Sequence, residues 1–391
     1  MSEPLSFDWA IAPETPERFF AEYFEKAPMR VSRGQPGYFA DLLSYAEVDW
    51  VISTMGLSHP EINVTRSDGN ITSADFTTDT GRIDPVRVTQ LFADGATVIL
   101  AGLQDRLPHL ARYCRAVEAV ISARVQANVY MTPPGNMGLR PHYDSHDVIV
   151  LQVAGSKEWR IYGTPVELPL RDQAFERDMD MGDEVQRFVL EPGDTLYVPR
   201  GVAHDAVATD DTSLHITTGL MVRTWTDVLI EAVIAKAHRM PEMRRALPPG
   251  FANHGADLGA HDETLRYLLG LLEDAPVDKL LHRFREDFVT ARAPHIDGQM
   301  AQLAALDTLT MDSRVGVRSH LIFMIQPVAD DKVRLTCQGA EIAMPAFATS
   351  AMEFCLTTPD FRVRDMPGDL DAAGRLVLVK RLVREGLMQL H

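Results

Sequence analysis

Residues 140–163 read RPHYDSHDVIVLQVAGSKEWRIYG, and the change of texture inside that stretch decides the fold. RPHYDSHD (140–147) packs two histidines, two aspartates and an arginine just after the Pro/Gly-rich turn TPPGNMG (132–138). Polarity of that density is either a solvated loop or a site. DVIVLQVAG (147–155) then runs almost wholly apolar and β-branched up to a glycine, which predicts a buried strand, and EWRIYG (158–163) predicts a second one. Working outward, ANVYM (127–131), RFVLEPGDTLYVPRG (187–201) and SLHITTGL (213–220) have the same character. All are short and punctuated by Gly, Pro or Asp, with no helical pattern between them. Such a series predicts an antiparallel barrel or jelly roll, closed enough to hold one small ligand in its mouth.

Within the polar segment, His142 and Asp144 stand at i and i+2. On extended backbone that spacing puts both side chains on one face, where they can ligate one ion. The best third ligand is His204, in PGDTLYVPRGVAH (192–204). There Gly193, Pro199 and His204 follow a G-x5-P-x4-H spacing that is similar to a cupin signature: a turn, a strand, and a second turn delivering the imidazole inward. Two neutral imidazoles and one carboxylate fill one face of an octahedron and leave three positions open. That arrangement suits non-haem Fe(II) that must bind a cosubstrate and O2 together. His146 shares the parity of His142 and Asp144 but is expected at the mouth of the site. His215, in a predicted strand, is expected as a hydrogen-bonded core histidine or a pocket wall, and Arg140 as a charge on the rim.

NVYMTPPGNMGLRPHYDSHDVIVLQVAGSKEWRIYG (128–163) and EPGDTLYVPRGVAH (191–204) together resemble the core of JmjC-type, cupin-like 2-oxoglutarate oxygenases, above all their ribosomal oxygenase branch. FFAEYFEKAPMRVSRG (19–34) resembles the same branch. The resemblance implies a 2-oxoglutarate site in which Lys157 and Tyr130 hold the distal carboxylate, Asn128 lines the pocket, and Thr132 and Thr217 add polar contacts. A buried lysine is costly unless paired, so a carboxylate ligand gives Lys157 a reason. Trp159 is expected to pack. The implied reaction consumes O2 and 2-oxoglutarate and hydroxylates an amino-acid side chain of a protein, with a ribosomal protein as the expected substrate. Other readings stay open: hydroxylation of a small molecule or peptide natural product, N-methyl-lysine demethylation, or a non-catalytic or isomerising cupin.

Composition bounds these readings. At 391 residues the chain predicts more than one domain, and its 46% hydrophobic and 24% charged content is that of a globular protein. A formal charge of −17 argues against a nucleic-acid binder and suits a basic partner. Three scattered cysteines and the absence of a basic, apolar leader or an 18-residue apolar run predict a cytoplasmic protein without membrane contact. Thr15 and Pro16 predict a helix start ahead of the aromatic stripe Phe19, Phe20, Tyr23 and Phe24. Helices are also predicted over 38–56, 108–125 and in two segments across 224–289. The expected layout is a mainly β catalytic domain, a double-stranded β-helix with N-terminal helices, over 1–225. A helical dimerisation region over 226–298, giving a homodimer, and a winged-helix-like α+β domain over 299–391 would follow it.

Overall fold

The computed structural model describes residues 5–173, 179–257 and 259–391. Its first 222 residues carry strands β1 (Met29–Val31), β2 (Ile62–Thr65), β3 (Thr97–Leu100), β4 (Arg124–Thr132), β5 (Asp147–Ala154), β6 (Lys157–Ile161), β7 (Gln186–Leu190), β8 (Thr195–Val198), β9 (His204–Ala208) and β10 (Ser213–Met221). Seven of them form one antiparallel sheet, in the order β1-β8-β5-β10-β4-β3-β2, and β7-β6-β9 form a second. Every segment expected to be a strand is one. The unbroken apolar run of β5 follows from its place at the middle of the larger sheet, buried on both faces. Ile149, Leu151 and Val153 join the core shared with the N-terminal helices, whereas Val148 and Val150 cluster with Trp159, Ile161 and Leu190 of the smaller sheet. The two sheets therefore pack face to face through alternate residues of the same strand.

Helices close the outer face of the larger sheet. Pro108–Ile121 buries Leu110, Cys114 and Val117 completely, as its periodicity predicts. Thr15 caps the turn at Pro16 by accepting from the Arg18 N–H, but only Phe19 of the aromatic stripe is fully buried and Phe20 lies on the surface. The helix expected over 38–56 is confined to Tyr45–Thr54, capped by Ser44.

Contacts divide the chain into two compact units: Met1–Val222 with His295–Leu321 and Ala351–His391, and Arg223–Pro294 with Ile322–Ser350. Six further strands share them: β11 (Arg314–Val317), β12 (Met324–Val328), β13 (Lys332–Cys337), β14 (Ala340–Pro345), β15 (Phe361–Arg362) and β16 (Met388–Leu390). KVRLTCQGAEIAM forms the hairpin β13–β14, and the helix Ala372–Arg384 runs into the terminal strand β16. Residues 299–391 nevertheless do not gather into the single domain expected of them. They make two separate three-stranded sheets, β15-β11-β16 in the first unit and β12-β13-β14 in the second. The second sheet is drawn to the helix Val277–Ala291, where the Gln338 N–H donates to the Val289 carbonyl at 3.1 Å. In the same unit the helix Trp225–Arg239 starts on a Thr224/Asp227 capping box and packs Val228 and Ala232 against Leu280. Among the described residues no helix is long and apolar enough to cross a membrane.

Gly193 marks the turn into β8 and adopts a φ of +89°, where a Cβ would stand 2.1 Å from the Gln35 carbonyl oxygen. Substitution by alanine would combine a left-handed backbone with a main-chain clash that no side chain can relieve. Gly193→Ala is expected to lose at least about 2 kcal/mol of stability in chemical denaturation, and an unchanged midpoint would count against this account of the turn.

Candidate active site

Two backbone hydrogen bonds set the geometry of the site. The His142 N–H donates to the His204 carbonyl at 3.1 Å and the His204 N–H donates back to the His142 carbonyl at 2.8 Å. This bridge joins the turn ahead of β5 to the first residue of β9, so ligands some sixty residues apart in the chain are neighbours in space. Asp144 completes the group, with its Oδ2 at 3.7 Å from His204 Nε2. One ligand atom from each of His142, Asp144 and His204 lies within 4.8 Å of the others, the convergence that the H-x-D and G-x5-P-x4-H spacings predict. Each imidazole is also oriented for a metal. His142 Nδ1 donates to the Arg140 carbonyl at 2.8 Å and His204 Nδ1 to the Val202 carbonyl at 3.1 Å. A carbonyl can only accept, so both rings carry their proton on Nδ1 and present the Nε2 lone pair to the centre. Burial, with His142 alongside, holds His204 neutral by lowering its pKa to about 4.

The triad opens on a cavity between the two sheets, lined by Thr97, Tyr130, Lys157, Trp159, His215 and Thr217 among others. Lys157 is 4% exposed at the start of β6, and no described residue offers it a hydrogen bond or an ion pair. Burial alone lowers its pKa from 10.5 to about 7. His215 stacks flat on Tyr130, with ring centroids 4.9 Å apart, and meets Trp159 edge-on at 5.9 Å. Burial and then the neighbouring Lys157 keep its imidazole neutral. His215 is thus a pocket wall, not a hydrogen-bonded core residue, since its buried Nδ1 has no hydrogen-bond partner among the described residues. The Tyr130 phenol is held protonated by burial and by the nearby Asp144 carboxylate.

Two of the residues expected at the cosubstrate do not line this cavity. Asn128 is not among the lining residues: its Oδ1 accepts from the Gly102 N–H and from Gln126 Nε2, both at 3.0 Å. Thr132 is wholly buried and accepts from Thr97 Oγ1 at 3.0 Å, so it supports the cavity through Thr97.

Residues 102–228 match the JmjC domain family. This chain carries a JmjC domain. Ribosomal oxygenase 1 of Gallus gallus is 32% identical over 304 residues, 72% of this chain and 50% of that protein. A bifunctional lysine-specific demethylase and histidyl-hydroxylase, NO66, of Drosophila mojavensis is 30% identical over 307 residues, 72% of this chain and 34% of that protein. The chain thus spans half or less of the length of these curated relatives. YcfD, a ribosomal oxygenase from Escherichia coli, shares the fold with a TM-score of 0.55 at 18% identity, covering 97% of this chain and 98% of its own. The structure of YcfD in complex with cobalt and 2-oxoglutarate gives a TM-score of 0.52.

On its outer side the JmjC domain presents a cleft of about 650 Å³ that shares His142, Asp144, Gly138 and Leu139 with the cavity. His146 lines this cleft and stays out of the metal cluster. It lies over Gly219 of β10, where a Cβ would come within 2.8 Å of the imidazole, so the glycine makes the space. Arg140 sits on the rim, its Nε donating to the Ser67 carbonyl at 2.5 Å. Thr97 and Leu139 carry no sequence signal of their own, and Trp159, read as packing, both packs and lines the cavity.

The lysine gives a stability test. Its folded pKa lies below its unfolded value, so the unfolded chain binds the extra proton and stability falls as pH drops from 10.5 towards about 7. Lys157→Met removes that burden. Without ligand the variant is expected to be more stable than wild type by a few kcal/mol near neutral pH, a gain that shrinks towards pH 10.5. A thermal midpoint that falls at pH 7 would show that Lys157 has a partner in the free protein.

Proposed function

We propose that this chain is an Fe(II)- and 2-oxoglutarate-dependent oxygenase that hydroxylates an amino-acid side chain of a protein, with a ribosomal protein as the favoured substrate class. One observation carries the reading: a buried lysine with no ion-pair partner among the described residues shares a single cavity with a His-Asp-His cluster. The donor set fits Fe(II), as two neutral imidazoles and a carboxylate occupy one side and leave the other for ligands. The cavity fits a dicarboxylate, which would supply the negative charge that Lys157 lacks. The cobalt and 2-oxoglutarate in the YcfD complex, and the hydroxylase and ribosomal oxygenase names of the relatives, agree with that pairing.

His142, Asp144 and His204 would hold the metal. Lys157 would bind the distal carboxylate, with the Tyr130 hydroxyl and Thr217 at the same wall. The metal, when bound, supplies the activation of O2 that couples decarboxylation of 2-oxoglutarate to substrate oxidation. The chain's own residues do the rest. Val148, Val150 and Trp159 keep the interior apolar, and a dicarboxylate beside Lys157 would hold it in its charged form. The outer cleft, which is itself lined by His142 and Asp144, would bring the target side chain to the metal ligands. Overall, substrate, O2 and 2-oxoglutarate give hydroxylated substrate, succinate and CO2. The breadth of the cleft and the net charge of −17 favour a basic polypeptide over a small molecule.

The second unit fits a homodimer, in keeping with the dimerisation region read at 226–298. Its helix Trp225–Arg239 leaves Trp225, Leu229 and Ile230 more than half exposed, at 71%, 61% and 55%. Three buried cysteines, none joined in a disulfide, accord with the cytoplasm.

The test is succinate formation from 2-oxoglutarate, Fe(II) and O2, together with mass spectrometry of ribosomal proteins from cells with and without the active chain. Asp144→Ala and His204→Ala should each lower turnover by about 100-fold or more, since losing a ligand costs more than losing its support. Lys157→Ala should abolish turnover while metal binding persists. Turnover that survives in Lys157→Ala would dismiss the cosubstrate assignment, and ribosomal proteins lacking an added oxygen would dismiss that substrate class. For the dimer, light scattering should give twice the chain mass, and Leu229→Glu with Ile230→Glu should return a monomer.

A further inference from the structure

Four residues from three separated segments close a hydrogen-bonded ring next to the metal ligands in the chain. The Glu25 N–H donates to the Tyr197 hydroxyl at 2.9 Å, and that hydroxyl donates to Asp147 Oδ1 at 2.7 Å. Asp147 Oδ2 accepts from Arg200 Nη1 at 2.7 Å, and Arg200 Nη2 returns to Glu25 Oε1 at 2.6 Å. The Arg200 N–H adds a longer contact to Asp147 Oδ1, at 3.4 Å. Asp147 and Tyr197 are fully buried and Arg200 is 6% exposed. Glu25 holds a φ of +58°, a left-handed conformation that a residue with a Cβ keeps only where its surroundings demand it.

The ring's place in the chain gives it meaning. Asp147 follows Asp144 by three residues, and Arg200 precedes His204 by four. Between them the Gly201 N–H donates to the Asp144 carbonyl at 2.9 Å, and the reciprocal His142–His204 bonds follow. A buried ion pair is a poor source of net stability, because desolvation offsets most of its attraction. Its best-attested use is to fix which of several packings is adopted, and here it spans the two turns whose alignment makes the triad. None of the four residues lines the cavity or the outer cleft, so none is placed to touch metal, cosubstrate or substrate.

We propose that the Glu25–Tyr197–Asp147–Arg200 ring presets the metal site, with Asp147 and Arg200 as positioning residues that hold Asp144 and His204 at ligating separation before an ion arrives. The inference rests on reading the triad as a metal site. It also gives the segment around Glu25, well outside the barrel strands that bear the ligands, a part in metal binding.

The experiment is titration of the full chain with Mn(II), followed by loss of the free-ion paramagnetic resonance signal, with the thermal midpoint of each variant measured alongside. Wild type should bind one Mn(II) per chain. Tyr197→Phe deletes a single hydroxyl and opens the ring at two bonds, and Asp147→Asn removes the charge. Each should weaken Mn(II) binding about 10-fold or more, the scale seen for residues that support metal ligands. Arg200→Lys, which keeps charge but not the fork, should fall between these and wild type. Leu110→Ala, a core truncation away from the ring, should lower the thermal midpoint and leave affinity within about twofold of wild type. Tyr197→Phe and Asp147→Asn binding as tightly as wild type, or no more weakly than Leu110→Ala, would overturn the proposal. If Asp147→Asn does not fold, Tyr197→Phe decides. Wild type that binds no Mn(II) would instead overturn the metal-site reading beneath it.

Discussion

The reciprocal backbone bonds between His142 and His204 are the constraint on which the rest of the JmjC domain depends. His142 belongs to the turn ahead of β5 and His204 stands where a second turn enters β9 of the other sheet, and this bridge sets the two imidazoles side by side. With it in place, Asp144 on one turn comes within reach of His204 on the other, and both rings point Nε2 at a common centre. The cavity and the cleft both reach that centre, sharing His142 and Asp144 in their walls. Backbone pairing suits this task because it leaves the side chains free to ligate.

Beyond the ligands the governing quantity is dielectric. Val148, Val150 and Trp159 make the space between the sheets apolar, and the same burial pushes the pKa of both Lys157 and His215 downward. An interior built only for stability would place a methionine where Lys157 stands. A lysine buried there, with no ion-pair partner among the described residues, marks a place where a ligand completes the structure, and it ties affinity for an anion to the fold's own electrostatics. The stacked Tyr130 and His215 bound the same wall and limit the shape of what fits.

Much of this was legible in the sequence, for reasons that differ residue by residue. The strands showed because β-branched runs between Gly, Pro and Asp have few alternatives, and the double burial of β5 showed as an unbroken apolar run. The triad showed because metal chemistry restricts residue types and because local turn geometry sets their spacing. Asn128 and Thr132 were read as pocket contacts because strand parity puts them on the face of Tyr130, and their bonds to Gly102, Gln126 and Thr97 could not be read from spacing. Gly219 gave no hint that it makes room for His146, since the two meet only when β10 crosses the mouth. The single C-terminal domain was likewise a reading of local order, and β12–β14 went instead to the helix Val277–Ala291.

By itself the sequence determined the elements, the ligand types and the two turns that carry them, because each depends on backbone preferences and spacings within about twenty residues. Tertiary structure alone decided that His204 faces His142, that Lys157 finds no ion-pair partner among the described residues, and that Glu25 closes a ring with Asp147 and Arg200. Those outcomes depend on which distant atoms share a low-dielectric space. Segments far apart in the chain carry no record of one another until the two sheets close over it.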